Sequence, residues 1–111
     1  MRSEADIHLA VYGTLGPGKP NHHQLSALRG VWTTGVVRGV LRPEGWAAAQ
    51  GYSGLILGDG EAVLVDLLRS EDLPDHWTRL DAFEGKGYRR VVTQVSTAAG
   101  DVAAHIYVLA R

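Results

Sequence analysis

Cysteine is absent from this chain of 111 residues. Its absence excludes disulfide bonds, catalytic thiolates and zinc sites with cysteine ligands. The sequence also lacks an excess of either charge, with 11 Lys and Arg against 12 Asp and Glu and a formal net charge of −1. Proteins that bind nucleic acid normally carry a basic patch, and Arg89-Arg90 is the one adjacent basic pair here, so no nucleic-acid partner is expected.

Long hydrophobic stretches are missing as well. The sequence has no apolar run of about 18 residues, and its first residues do not follow the pattern of a signal peptide. We therefore expect no association with a membrane and a cytoplasmic location. Because 45% of the residues are hydrophobic and no linker or repeat interrupts them, residues 1–111 are expected to form a single globular domain.

The spacing of hydrophobic residues predicts six strands and two helices. One helix is expected to begin at an Asn21 cap, and a second is expected to span Ser70 to Phe83. The strands are more numerous than the helices and do not alternate with them, which indicates the α+β class with a mixed, curved sheet or small barrel. The predicted strands are Ile7–Val11, Val31–Leu41, Leu55–Leu57, Ala62–Leu68, Arg89–Ser96 and Val102–Leu109.

A glycine-rich bend follows the first predicted strand: Gly13-Thr-Leu-Gly-Pro-Gly18-Lys19. Between a strand and a helix, such a bend leaves backbone N–H groups unpaired and pointing one way. With the positive end of the helix dipole nearby, this predicts a pocket for an anion or a carbonyl oxygen. The run matches the beginning of a phosphate-binding loop, G-x-x-x-x-G-K. The next residue, Pro20, lacks the hydroxyl that would hold Mg²⁺, so a nucleotide is disfavoured. A plain tight turn is the structural alternative.

A carboxylate continues the hydrophobic stripe of the second predicted helix. At about 100° per residue, Glu84 falls between Trp77 and Leu80 on the helical wheel, on the face that should be buried. Gly85 follows and is typical of a helix end. Burial and the negative end of the helix dipole would both raise the pKa of Glu84, toward the range in which one carboxylate can act as base and acid.

Two other interpretations of this helix stay open. Glu84 could lie in solvent at a frayed helix end, paired with Arg89 or Arg90. Asp81, at the edge of the hydrophobic stripe, is a weaker candidate for the same chemistry and could instead cap a neighbouring turn.

The histidines are the remaining candidates for a metal site. His22 and His23 are adjacent, so on a helix they would point about 100° apart and could not bind one ion as an i, i+4 pair does. His76 and His105 lie elsewhere in the chain. A histidine in a strand, such as His105, is usually a core or surface residue with an ordinary partner. No metal site is therefore expected.

Two segments resemble the signatures of the γ-glutamylcyclotransferase-like family, which is also called AIG2-like. They are Val11-Tyr-Gly-Thr-Leu15 with Gly18 and Pro20-Asn-His22, and Leu80-Asp-Ala-Phe-Glu-Gly85 with Tyr88-Arg89. Between them, Gly35–Leu41 resembles the first barrel strand after the helix, and Gly51-Tyr52 resembles the loop that follows. The N-terminal signature is most similar to the branch that acts on γ-glutamylamines. The chain departs from the family at Val65-Asp-Leu67, where Gly-Glu is usual.

The resemblance implies a small mixed α+β barrel flanked by helices. It also implies a reaction in which the α-amine of a γ-glutamyl amide attacks the side-chain carbonyl and releases 5-oxoproline and a free amine. This reaction requires no metal, nucleotide or other cofactor. A family member that binds a small amino compound without turnover is the alternative, although retention of the glutamate argues against it. The implied site residues are Glu84 as catalytic acid/base, the backbone of Tyr12, Gly13, Thr14 and Leu15 as the substrate-binding loop, and Tyr88 in the pocket.

Overall fold

A computed structural model describes residues 3–13, 15–42 and 54–110. Within these ranges one α-helix, α1, spans Trp77–Glu84, and none of the described helices is long and apolar enough to cross a membrane. Short 3₁₀ turns occur at Ala5–Ile7, His22–Gln24 and Leu73–Asp75. The described strands are β1 His8–Val11, β2 Val31–Arg42, β3 Gly54–Leu57, β4 Glu61–Arg69, β5 Tyr88–Thr97 and β6 Gly100–Leu109.

Five of these strands close into a barrel in the order β2-β4-β1-β6-β5, and β3 pairs with the edge of β2 opposite β4. The sheet is mixed because β1 and β6 are parallel while the other neighbours are antiparallel. The ring closes where Val36 of β2 lies opposite Ser96 of β5. Glycine is needed at position 35, since a Cβ there would overlap the side chain of Val95. The expected fold class, α+β with a small mixed barrel, is confirmed.

Hydrophobic side chains form two cores, one on each face of the barrel wall. The side chains of β1 alternate between these two cores. Ala10 points into the barrel, toward the inner core, while Leu9 and Val11 point to the outer core on the other face of the wall. The inner core consists of Ala10, Val37, Leu55, Val63, Val65, Leu67, Val95, Ala104, Ile106 and Val108. The outer core, between the wall and the segments that cover it, consists of Leu9, Val11, Leu15, Leu25, Leu28, Leu68, Leu73, Trp77, Leu80 and Tyr107.

The predicted strands are confirmed, but the predicted helices differ from the structure. The helix expected at Asn21 is wrong, because the chain there forms a 3₁₀ turn at His22–Gln24 followed by further turns. Leu25 N–H donates to His22 O at 2.9 Å, which is the i→i+3 bond of a 3₁₀ turn. The three-residue spacing of Leu25 and Leu28 is compatible with such turns as well as with an α-helix.

The second helix begins at Trp77 instead of Ser70. Pro74 lies in a separate 3₁₀ turn, in which His76 N–H donates to Leu73 O at 2.8 Å. The predicted Ser70 cap is present in a modified form, since its Oγ accepts the N–H of Asp72 at 3.1 Å. The predicted irregular loop around Gly51-Tyr52 lies outside the described residues.

Candidate active site

Glu84 is the last residue of α1 and continues the face of this helix that packs on the barrel. Trp77 and Leu80, two turns and one turn earlier, are buried in the outer core. Gly85 ends the helix with a φ of 80° and donates its N–H to Asp81 O at 3.1 Å. The carboxylate is therefore held at a defined helix end instead of a frayed one.

Burial raises the pKa of Glu84 from 4.5 to about 7. In the part of the chain that the structure describes, its carboxylate has no hydrogen bond or ion pair. If Glu84 lay in solvent, Arg90 was one of its two expected partners. Arg90 is instead bound to Asp81, with Nε 2.8 Å from Oδ1. At neutral pH both protonation states of Glu84 are therefore populated, as an acid/base group requires.

The raised pKa of Glu84 predicts a stability cost above neutral pH. Between pH 4.5 and about pH 7 the folded chain binds more protons at Glu84 than the unfolded chain, so the free energy of unfolding falls as pH rises through this window. Glu84→Gln removes that titration. We expect the free energy of unfolding of the variant to exceed that of the wild-type protein by about 3 kcal/mol at pH 8 and to equal it near pH 4, as measured by urea denaturation. The control Thr78→Ala, which removes no ionisable group at an exposed position of the same helix, should show no such dependence. A difference for Glu84→Gln that does not change with pH would contradict the burial of its carboxylate.

Three tyrosines share the electrostatic environment of Glu84. Its negative charge contributes to the raised pKa values of Tyr12, Tyr88 and Tyr107, for which burial is the largest cause. All three phenols therefore stay protonated at neutral pH. The structure thus brings Tyr12 and Tyr88, both implied by the family resemblance, into the surroundings of the predicted glutamate.

The hydroxyl of Tyr12 connects several elements of the barrel. It donates to the backbone carbonyl of Tyr107 in β6 at 2.7 Å and accepts the N–H of Leu55 in β3 at 3.0 Å. Tyr107 in turn donates its own hydroxyl to Asp81 Oδ1 in α1 at 2.7 Å. One residue of β6 therefore connects the helix of Glu84 to Tyr12, which immediately precedes the glycine-rich bend. Sequence reasoning missed Tyr107; its phenol between the apolar residues Ile106 and Val108 was the available signal.

Asp81 attaches α1 to the barrel through Arg90 and Tyr107, and it caps no turn among the described residues. The guanidinium of Arg90 donates to both of its carboxylate oxygens, at 2.8 and 3.2 Å, and also lies 4.5 Å from the ring centre of Trp77. The hydrogen bond from Arg90 is the main cause that lowers the pKa of Asp81. A carboxylate that stays ionised in this way is unsuited to proton transfer at neutral pH, which leaves Glu84 as the better candidate.

The glycine loop, residues 13–19, uses some of its own amides. Gly16 N–H donates to Gly13 O at 3.2 Å, and Lys19 N–H donates to Gly16 O at 3.0 Å. The expectation of unpaired amides next to a helix N-terminus is therefore wrong for Gly16 and Lys19, because both N–H groups are bound within turns of the loop. The loop is followed by a 3₁₀ turn and not by an α-helix. A Cβ built on Gly13 would meet no described atom within 4 Å, so the space above this residue is open.

The remaining loop residues differ in what they can offer a ligand. The side chain of Leu15 is 5% exposed and belongs to the outer core, so its backbone is the part that can face a ligand. Thr14 lies outside the described residues. Of the described residues in this part of the loop, Gly13 and Leu15 can therefore offer a ligand their backbone.

A cleft of about 400 Å³ opens beside Glu84. Its volume is in the range of small-molecule sites. The described residues that line it are Phe83, Glu84, Gly85, Lys86 and Gly87. Tyr12, Gly13 and Leu15 are not part of this described lining, so the described cleft contains Glu84 but not the glycine loop.

No group of three or more histidine or acidic side chains suited to a metal ion occurs among the described residues. The histidines have other neighbours. His22 Nδ1 lies 3.0 Å from Leu15 O, and His105 lies between Arg90 and Asp6.

Among the described residues, a closed mixed barrel carries a partly buried glutamate without a partner at the end of its helix, which defines an α+β barrel with a candidate acid/base group. A family model described as gamma-glutamyl cyclotransferase, AIG2-like, matches residues 9–111. The chain belongs to this family. A search of curated proteins found no match.

Solved structures give the same fold. YkqA from Bacillus subtilis is 26% identical with a TM-score of 0.70, and the match covers 92% of this chain but 35% of that protein. An AIG2-like protein from Mus musculus is 24% identical with a TM-score of 0.73, covering 96% of this chain and 78% of that one. A structure named gamma-glutamyl cyclotransferase is 13% identical with a TM-score of 0.62, covering 95% and 67%. The last two likenesses show the fold alone.

Proposed function

We propose that this protein is a cyclotransferase that converts a γ-glutamyl amide, most specifically a γ-glutamylamine, into 5-oxoproline and a free amine. One observation carries the proposal: Glu84 is partly buried on a cleft, has no described partner, and has a pKa of about 7. Membership of the gamma-glutamyl cyclotransferase, AIG2-like family supports the general class of reaction.

Glu84 would move protons in both halves of the proposed reaction. It first takes a proton from the α-ammonium of the substrate, and the resulting amine attacks the γ-carbonyl carbon to form the C–N bond of the ring. The C–N bond to the leaving amine then breaks as Glu84 returns the proton to that nitrogen. The ring nitrogen still carries one proton too many after the attack and passes it to the released amine, so the products are 5-oxoproline with a neutral lactam nitrogen and an alkylammonium ion. Because the pKa of Glu84 is close to neutral, neither transfer is strongly uphill at physiological pH.

The glycine loop would hold the carbonyl oxygen while the ring closes. The attacked carbonyl develops negative charge, and fixed N–H donors stabilise such an oxyanion more than they stabilise the substrate. The open space above Gly13 allows a ligand to approach its backbone. Nucleophile and electrophile belong to one molecule, and well-oriented intramolecular attack reaches effective molarities of about 10⁵–10⁸ M. Holding the substrate folded is therefore the main task of the site.

A substrate panel tests the proposal. We expect 5-oxoproline from at least one member of a series of γ-glutamylamines, γ-glutamyl dipeptides and glutathione. The matched control is the same γ-glutamylamine acetylated on its α-nitrogen, which lacks the nucleophile and should give no product. Binding of a panel member without release of 5-oxoproline would favour the non-catalytic alternative. Neither binding nor product from any member would overturn the proposed function.

A further inference from the structure

His22 belongs to the Pro20-Asn-His22 motif, to which the proposed reaction assigns no role. Its Nδ1 lies 3.0 Å from the carbonyl oxygen of Leu15. A carbonyl can only accept, so Nδ1 must carry the proton in this bond. The imidazole also packs against the indole of Trp32, with ring centres 5.5 Å apart and planes inclined by 52°. The ring is thus supported from the side while its Nδ1–H points at the glycine loop.

The peptide group between Leu15 and Gly16 is held at both of its polar atoms. Its carbonyl accepts from His22 Nδ1, and its N–H donates to Gly13 O at 3.2 Å. His22 is tied to the same loop through its backbone, because its N–H donates to Lys19 O at 3.1 Å. Rotation of this peptide would break both hydrogen bonds and leave a partly buried carbonyl without a partner.

We infer that His22 is a positioning residue that preorganises the backbone of Gly13 and Leu15 for the γ-glutamyl group of the substrate. This inference depends on the proposed function. His22 does not contact the reacting atoms; it acts through the Leu15 carbonyl. A loop that is ordered before the substrate arrives loses less conformational entropy on binding, so its fixed donors give tighter binding.

Three variants of His22 separate a positioning role from a packing role. His22→Asn keeps an amide donor close to the Nδ1 position, His22→Gln moves the donor toward the Nε2 position, and His22→Ala removes it. We expect KM to rise about tenfold in His22→Ala, as loss of about 1.4 kcal/mol of binding predicts. His22→Asn should recover most of this loss and His22→Gln should not. His23→Ala, at the exposed neighbouring histidine, is the control and should leave KM unchanged.

Calorimetry in a Glu84→Gln background measures Kd for the same γ-glutamylamine without turnover, and thermal unfolding of each variant measures stability. Equal Kd values for His22→Ala and the parent overturn the inference. An equal rise of Kd in His22→Asn and His22→Ala also overturns it. Both variants lack the imidazole ring, so the effect would then come from lost packing and not from the lost hydrogen-bond donor. A wild-type protein that binds the compound but forms no 5-oxoproline overturns the proposed function, and the Kd comparison still decides the role of His22. Absence of binding to the Glu84→Gln parent, together with neither binding nor product in the wild-type protein, overturns both.

Discussion

Glu84→Gln should lower kcat by about 10²–10⁴-fold, the contribution of a positioned general acid–base group, with little change in KM. Glutamine keeps the size and the oxygen atom of the glutamate side chain but cannot take up or release a proton in this pH range. Initial rates of 5-oxoproline formation from the best γ-glutamylamine measure the effect. Because the substitution is expected to stabilise the fold at pH 8, unfolding would not account for the loss.

The pH profile gives this prediction a second readout. In the original protein, kcat/KM should rise through a pKa of about 7 as Glu84 loses its proton and becomes a base. That rise should be absent from the residual activity of Glu84→Gln. The control Glu61→Gln, at an exposed position in β4, should retain both the rate and the profile. Full activity of Glu84→Gln would contradict the proposed mechanism.

Leu80→Ala should reduce the free energy of unfolding by about 2–5 kcal/mol, a large share of the 5–15 kcal/mol typical of a domain. Leu80 has no exposed surface, and it packs in the outer core beneath α1. Truncation removes buried methyl groups and leaves a cavity that the short helix can fill only in part. Urea denaturation measures the loss.

The matched control is Thr78→Ala, an exposed position on the same helix, where we expect a change within about 0.5 kcal/mol. A loss below about 1 kcal/mol for Leu80→Ala would mean that α1 is held mainly by its polar contacts. Asp81 with Arg90 and Tyr107 would then be the principal attachment of the helix that carries Glu84.

The strands and the position of Glu84 could be predicted because both depend on local spacing. Alternation along a strand marks which residues are buried, and it gave all six strands near their observed bounds. The predicted second helix began too early, yet Trp77, Leu80 and Glu84 all fall inside α1, so their relative directions were unaffected by the error. The pairing of strands was not predictable in the same way, because alternation identifies faces but not neighbours. The parallel contact of β1 with β6 and the closure of β2 on β5 depend on the packing of the whole chain.

The chemistry around the candidate site was less accessible from sequence than Glu84 itself. Whether a loop amide is free depends on backbone angles, and apolar spacing of three residues fits a 3₁₀ turn as well as an α-helix. The sequence therefore did not reveal that Gly16 and Lys19 use their N–H groups within the loop. The partners of Asp81 come from two different strands, so no local pattern joins Arg90 and Tyr107 to it.

The two hydrophobic cores share a wall that is one backbone thick, and this has a consequence for cooperativity. In β6, Ile106 faces the inner core and the next residue, Tyr107, faces the outer one. Separation of this strand from its neighbours would open both cores at once, so neither core forms an independent folding unit. The carbonyl of Tyr107 also receives the hydroxyl of Tyr12. A substitution in the inner core that displaces β6 can therefore shift both the glycine loop and the helix of Glu84, although the substituted residue contacts neither of them.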